Sequence, residues 1–243
     1  IYGLNANSGY YFRVAAKNLK GELTAFTNLT SGGAKYTRIE LPVMEFGTIT
    51  TDSVQIDISA QTFSNINSGD SGLRYIEEGS PGGPWASGWT TNKVWTREEG
   101  NPVGAPALSA NTTYLWIIQS RNYEGLANED VRQVKATKIE GVESLEFMVE
   151  SSSIGIKANA VGGSFSNLEK GQSGIYYEIQ DSNYNKLAST WTKITGFYWF
   201  WGLSPNVTYY FIANSRNYDG ICNSSTTVEM KHTHCVNPST PTV

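Results

Sequence analysis

Few side chains in this sequence have the types and spacing that catalysis or metal binding requires. His232, His234 and Cys235 come nearest. On a strand, residues i and i+2 share a face, so the two imidazoles would project together with the thiol opposite. Such ligands suit a transition metal, but three groups at a chain end lack a fourth ligand and the outer hydrogen bonds that orient one. An ordinary edge strand is the favoured reading. Glu77-Glu78 and Glu98-Glu99 are adjacent acids, and both pairs read as solvated surface carboxylates. No nucleophile elbow, P-loop, dinucleotide fingerprint or acidic calcium loop occurs. No catalytic, cofactor-binding or metal-binding residue is assigned, and no cofactor is expected.

Aromatic side chains offer a better lead. Trp85, Trp89 and Trp95 cluster in one stretch, and Trp191, Trp199 and Trp201 in another. Exposed indoles stack on sugar rings, which makes Trp85, Trp199 and Trp201 the candidates for glycan stacking. Trp89 and Trp191 hold equivalent places in a repeat and read as core. The net charge of −4 gives no reason to bind nucleic acid or an anionic membrane. No apolar run approaches the ~20 residues that span a bilayer. The 24 glycines scattered between short apolar runs suit an all-β chain with many turns.

The elements that must position these residues are written repeatedly. Residues 4–21 read LNANSGYYFRVAAKNLKG, 108–125 read LSANTTYLWIIQSRNYEG, and 203–220 read LSPNVTYYFIANSRNYDG. A period near one hundred residues is that of a small β-sandwich, not of a solenoid. Each copy reads as an Asn-rich corner, an apolar strand and a hairpin turn. Tyr10, Phe12 and Val14 should face inward, as should Trp116 and Ile118, and Tyr209, Phe211 and Ala213. Strands of period two precede the last two copies at Val54–Ile58 and Ile154–Ala158. Phe63-Ser64-Asn65, Gly69, Ser71, Gly72 and Tyr75 then recur, with one constant offset, as Phe165-Ser166-Asn167, Gly171, Ser173, Gly174 and Tyr177. Extra residues between Trp95 and Leu108 read as a loop insertion. Closing strands are expected near 131–137 and 226–233.

The Leu-x-x-Asn-x-x-Tyr corner, the strand ending in Arg-Asn and the acidic-Gly turn resemble the E–F corner, F strand and F–G hairpin of fibronectin type III domains. The Ser-Gly-Trp segment is similar to copies in large bacterial surface and secreted proteins. The resemblance implies an all-β fold of tandem Ig-like (fibronectin type III-like) β-sandwiches, the first incomplete. It also implies tyrosine corners at Tyr10, Tyr114 and Tyr209, each hydroxyl bonding to upstream backbone. Boundaries are placed at 1–41 for the closing part of a first module, 42–140 for a second and 141–235 for a third. Residues 236–243 read as a linker, stiffened by Pro238 and Pro241. Ile1 falls just before the first corner, so the chain reads as a fragment of a longer protein.

Three further expectations follow. Leu115, Ile117, Tyr210 and Ile212 should form apolar stripes on the outer face of the F strands, an interface for copies of the chain or for neighbouring modules. Cys222 and Cys235 flank a strand and are too far apart to bond to each other, leaving them free or paired elsewhere. Asn28, Asn111, Asn206 and Asn223 begin glycosylation sequons, with turn chemistry favoured at Asn111 and Asn206. The function these features support is that of a non-catalytic extracellular or cell-surface spacer, stalk or surface-filament segment that mediates assembly or adhesion. The alternative is a carbohydrate-binding accessory region of a secreted polysaccharide-degrading enzyme.

Overall fold

The computed structural model describes residues 2–30, 32–223 and 226–236, and every regular element among them is a β-strand. The linker at 236–243 lies outside the described residues except for Val236. By contact the chain divides into two compact units. One comprises Ile1–Thr48, Val54–Pro106 and Tyr114–Val134, the other Ile49–Ser53, Ala107–Thr113 and Lys135–Val243.

The first strands are short. β1 (Gly9–Tyr10) pairs with β4 (Lys35–Tyr36), and β2 (Arg13–Val14) with β3 (Thr27–Asn28), all antiparallel. Together they form a narrow ribbon on which Tyr10 and Phe12 are half-buried and Val14 is exposed. A lone ribbon offers no second layer to cover an inward face.

The next strands form two sheets. β5 (Phe46–Ile49), β6 (Val54–Asp57) and β9 (Val94–Arg97) run in the order β5-β6-β9. β7 (Gly72–Glu78), β8 (Trp85–Ala86), β10 (Thr113–Arg121) and β11 (Val131–Ala136) run β11-β10-β7-β8. Period-two alternation delivers Val54 and Ile56 from one sheet, and Leu73, Tyr75, Trp116 and Ile118 from the other, into the core. Burying each such side chain contributes about 1.5–3 kcal/mol.

The same topology follows with β12 (Val142–Val149), β13 (Ser153–Ala160) and β16 (Tyr198–Trp201) in one sheet, and β14 (Gly174–Gln180), β15 (Lys186–Thr192), β17 (Thr208–Arg216) and β18 (Thr227–His232) in the other. The orders are β12-β13-β16 and β15-β14-β17-β18. Ile154, Ile156, Ile175, Tyr177 and Phe211 fill this core. Tyr177 reaches across to accept a hydrogen bond from the Ala158 amide at 2.8 Å, and burial pushes its phenol up to about 12.

The two cores differ in charge at one facing pair. In β7 and β9, Glu77 and Arg97 are fully buried, with Arg97 Nε donating to Glu77 Oε2 at 3.3 Å. The Ser80 amide and hydroxyl complete the carboxylate shell at 2.9 and 2.6 Å, and Arg97 Nη1 donates to the Glu98 carbonyl at 2.8 Å. Glu77 is therefore no solvated surface acid. Trp116 opposite Glu77 marks it as inward-facing, and the ion pair makes that burial tolerable. At the matching register positions the later sandwich carries Ile179, opposite Phe211, and Phe200, opposite Ile154. Removing one partner, as in Glu77→Ile, strands a buried charge and should cost about 3–5 kcal/mol. The double change Glu77→Ile with Arg97→Phe should recover most of that loss in urea unfolding.

Candidate functional site: a polar clasp between corner and loop

Each corner turns on an asparagine in the left-handed region: Asn7 at φ 45°, Asn111 at 48° and Asn206 at 56°. Asparagine tolerates that conformation better than most side chains. The corner is braced in the same way each time. The amides of Asn7, Asn111 and Asn206 donate to the carbonyls of Arg38, Lys138 and His234 at 2.9, 2.8 and 3.2 Å. The hydroxyls of Thr37, Thr137 and Thr233 donate to the carbonyls of Asn5, Ser109 and Ser204, each at 2.7 Å. The Tyr10 hydroxyl accepts the Asn5 amide at 2.8 Å and the Tyr209 hydroxyl accepts the Ser204 amide at 3.0 Å. Tyr114 is buried at the equivalent position.

Braced in this way, the first two asparagines grip a loop from the next strand set. Asn7 Nδ2 donates to the carbonyls of Ser64 and Asn65 at 2.8 and 3.1 Å and to Ser71 Oγ at 2.9 Å. Its Oδ1 accepts the Tyr123 amide at 2.7 Å. Asn111 Nδ2 donates to the carbonyls of Ser166 and Asn167 at 2.8 and 3.0 Å and to Ser173 Oγ at 2.9 Å, while its Oδ1 accepts the Tyr218 amide at 2.6 Å. Both asparagines are 1% exposed. A buried amide with every valence used is strongly position-specific.

Secondary contacts reinforce each clasp. Asn122 Nδ2 donates to Thr37 O at 3.1 Å, and Asn217 Nδ2 to Thr137 O at 3.0 Å. Asn128 reaches the Ile39 carbonyl at 2.8 Å and Asn223 the Ile139 carbonyl at 3.0 Å. The Ser64 amide donates to Glu40 and the Ser166 amide to Glu140, each at 2.8 Å. Burial pushes the Glu40 carboxyl up, but the hydroxyl and amide of Ser64 outweigh it and hold the group below its usual 4.5. Gly69 and Gly171 (φ 56° and 51°) lie against Tyr123 and Tyr218, where a Cβ would come within 2.6 and 2.7 Å of the ring. The loops therefore require glycine at these positions.

The clasp also decides the sequons. At Asn111 and Asn223 every Nδ2 direction is spent on protein acceptors, whereas Asn28 and Asn206 are exposed. Cys222 and Cys235 are free and exposed. His232 Nδ1 is paired with Thr208 Oγ1 at 2.7 Å, and no group of three potential metal ligands is found among the described residues.

The expected outer stripes are only partly realised. Ile117 lies on the outer face, opposite Ile76 in the sheet, but is only 1% exposed, so it is not an accessible interface residue. Leu115, Tyr210 and Ile212 are half-buried, and Tyr210 lies against Tyr184 with ring centroids 4.6 Å apart. Trp89 and Trp191 are half-buried rather than core, because the guanidinium groups of Arg121 and Arg216 cover their faces at 4.4 and 4.2 Å. The three proposed stacking tryptophans fall in different units. Trp85 is half-buried in one unit, its Nε1 donating to Pro81 O at 3.2 Å, while Trp199 and Trp201 stack with each other at 5.4 Å in the other.

Comparison with solved structures places this architecture. A two-domain fibronectin type III segment of chicken tenascin superposes with a TM-score of 0.51 at 11% identity, covering 79% of this chain and 98% of that one. The fold is that of tandem fibronectin type III domains. The chicken CNTN1 FN1–FN3 domains align over 94% of this chain and 79% of that one, with a TM-score of 0.33 and 13% identity. No family model and no curated protein matches the sequence.

In type III terms, the clasp joins an E–F corner to the B–C loop and F–G hairpin of the following strand set. Glycine keeps the left-handed backbone without the amide, so Asn111→Gly isolates the clasp from the turn. It should cost about 3 kcal/mol in urea unfolding through unsatisfied buried groups, against less than about 0.5 kcal/mol for Asn206→Gly. A carboxyl depressed in the folded state stabilises above its unfolded pKa and loses that contribution as pH falls through the folded value. The Glu40 contact should therefore be intact at neutral pH and weaken below about 4.5, read as loss of protection of the Ser64 amide relative to its intrinsic exchange rate at each pH.

Proposed function

We propose that this chain is a non-catalytic extracellular spacer or stalk segment, built so that successive type III modules are held in fixed relation rather than strung on free linkers. The carrying observation is the duplicated clasp, in which Asn7 and Asn111 make the same four hydrogen bonds to equivalent partners. Free hinges need no buried polar contacts at their joints. A joint with every polar valence used resists bending and fraying alike. Axial use over lateral assembly is supported by the outer faces in that Ile117 is buried and Tyr210 is half-buried against Tyr184.

A second reading rests on the β16 edge. Trp201 is 73% exposed and stacked on Trp199, which lies against Gly155. Such a platform suits the face of a sugar ring, as a glycan-binding accessory region would require. Glycan-array binding that is lost in Trp201→Ala would favour it over the spacer.

The spacer reading is tested by small-angle scattering. The scattering profile of the chain should not change with concentration. The pair Asn7→Gly and Asn111→Gly should broaden its distance distribution without lowering strand content. A wild-type profile already as broad as that of the variant would overturn the reading.

A further inference from the structure

The corner at Asn206 has the full geometry of the other two but a different environment. Its φ, its amide bond to His234 and its Thr233 brace match those at Asn7 and Asn111, and its Tyr209 brace matches that of Tyr10 at the Asn7 corner. Asn206 is nonetheless exposed, whereas its two counterparts are buried to 1%. Among the described residues its side chain has no hydrogen-bond partner. Turn formation alone does not call for an asparagine amide aimed at solvent, since glycine meets the backbone requirement.

We infer that the Asn206 corner is a docking site for a further β-sandwich of this same kind. Its recognition chemistry is specified by the two clasps. The partner must present two loop carbonyls and a serine hydroxyl as acceptors, with a hairpin amide as donor, as Phe63-Ser64-Asn65, Ser71 and Tyr123 do. A second copy of this chain does not qualify, because both of its loops of that type are already gripped by its own Asn7 and Asn111. The joint differs from the other two in one respect. Cys235 and Val236 stand where Ile39-Glu40 and Ile139-Glu140 stand at the earlier joints, so no carboxylate is available to hold the loop serine. This third clasp is therefore insensitive to acid in the range that affects Glu40.

The inference rests on the spacer reading, but its test is separate from the scattering experiment. The described chain is extended after Val236 by a second copy of residues 141–236 or, in a parallel protein, by a second copy of residues 41–140. The Asn206 side-chain amide is then followed by hydrogen exchange in isotope-labelled protein. In the unextended chain it should exchange freely. In the extended proteins it should be protected at least tenfold relative to the unextended chain at the same pH, equally at pH 6 and pH 4, and Asn206→Gly should speed unfolding of the added copy. Free exchange of the Asn206 amide in both extended proteins overturns the inference. So does unfolding of the added copy at a rate that Asn206→Gly leaves unchanged.

Discussion

The arrangement depends on one buried primary amide per joint. Two loop carbonyls, a serine hydroxyl and a hairpin amide converge where water is excluded, and all four need partners of the right sign. Asparagine supplies two donors and an acceptor within one planar group, and it accepts the left-handed backbone that the corner demands better than most side chains do. Aspartate would lack the donors and glutamine would overreach the turn. Residue type and backbone conformation are thus chosen together at Asn7 and Asn111, and the surrounding features serve that choice. Gly69 and Gly171 allow the tyrosine to lie over the loop, and the threonines at 37 and 137 hold the corner to its connector.

The sandwiches themselves show how one fold accommodates different interiors. Glu77 and Arg97 bridge the sheets where Ile179 and Phe200 do so later, with the same topology around both. A buried ion pair is an expensive substitute for apolar contact, and the later core demonstrates that the fold does not require it. The paired Trp–Arg contacts, Trp89 with Arg121 and Trp191 with Arg216, are by contrast kept in both. They cover the outer face of the sheet with aromatic area and long side-chain stems.

Much of this was legible in the sequence because strand alternation and turn chemistry are local. The closing strands, the inward positions of Trp116, Ile118, Tyr209, Phe211 and Ala213, and the tyrosine corners at Tyr10 and Tyr209 follow from period two and the repeated motif. The clasp was visible only as a constant offset. Ser64, Asn65 and Ser71 and their later equivalents were conspicuous, but their partner lies more than fifty residues away, beyond what local patterning reports. The asparagine was read correctly as a turn residue, and that reading concealed its second role. Ile117 misled because alternation distinguishes the faces of a sheet without showing whether the outer face is covered. Glu77 misled because its adjacency to Glu78 suggests solvent, while its register opposite Trp116 places it inside.

The central claim is that the corner asparagine couples energetically to the loop it touches. A double-mutant cycle on Asn111 and Ser173 measures this directly, with Asn111→Gly, Ser173→Ala and the combined variant followed by native-state hydrogen exchange in β14. The account predicts a coupling of about 1–2 kcal/mol, since these two side chains exchange hydrogen bonds at 2.9 and 3.2 Å. Additive effects within about 0.3 kcal/mol would contradict it.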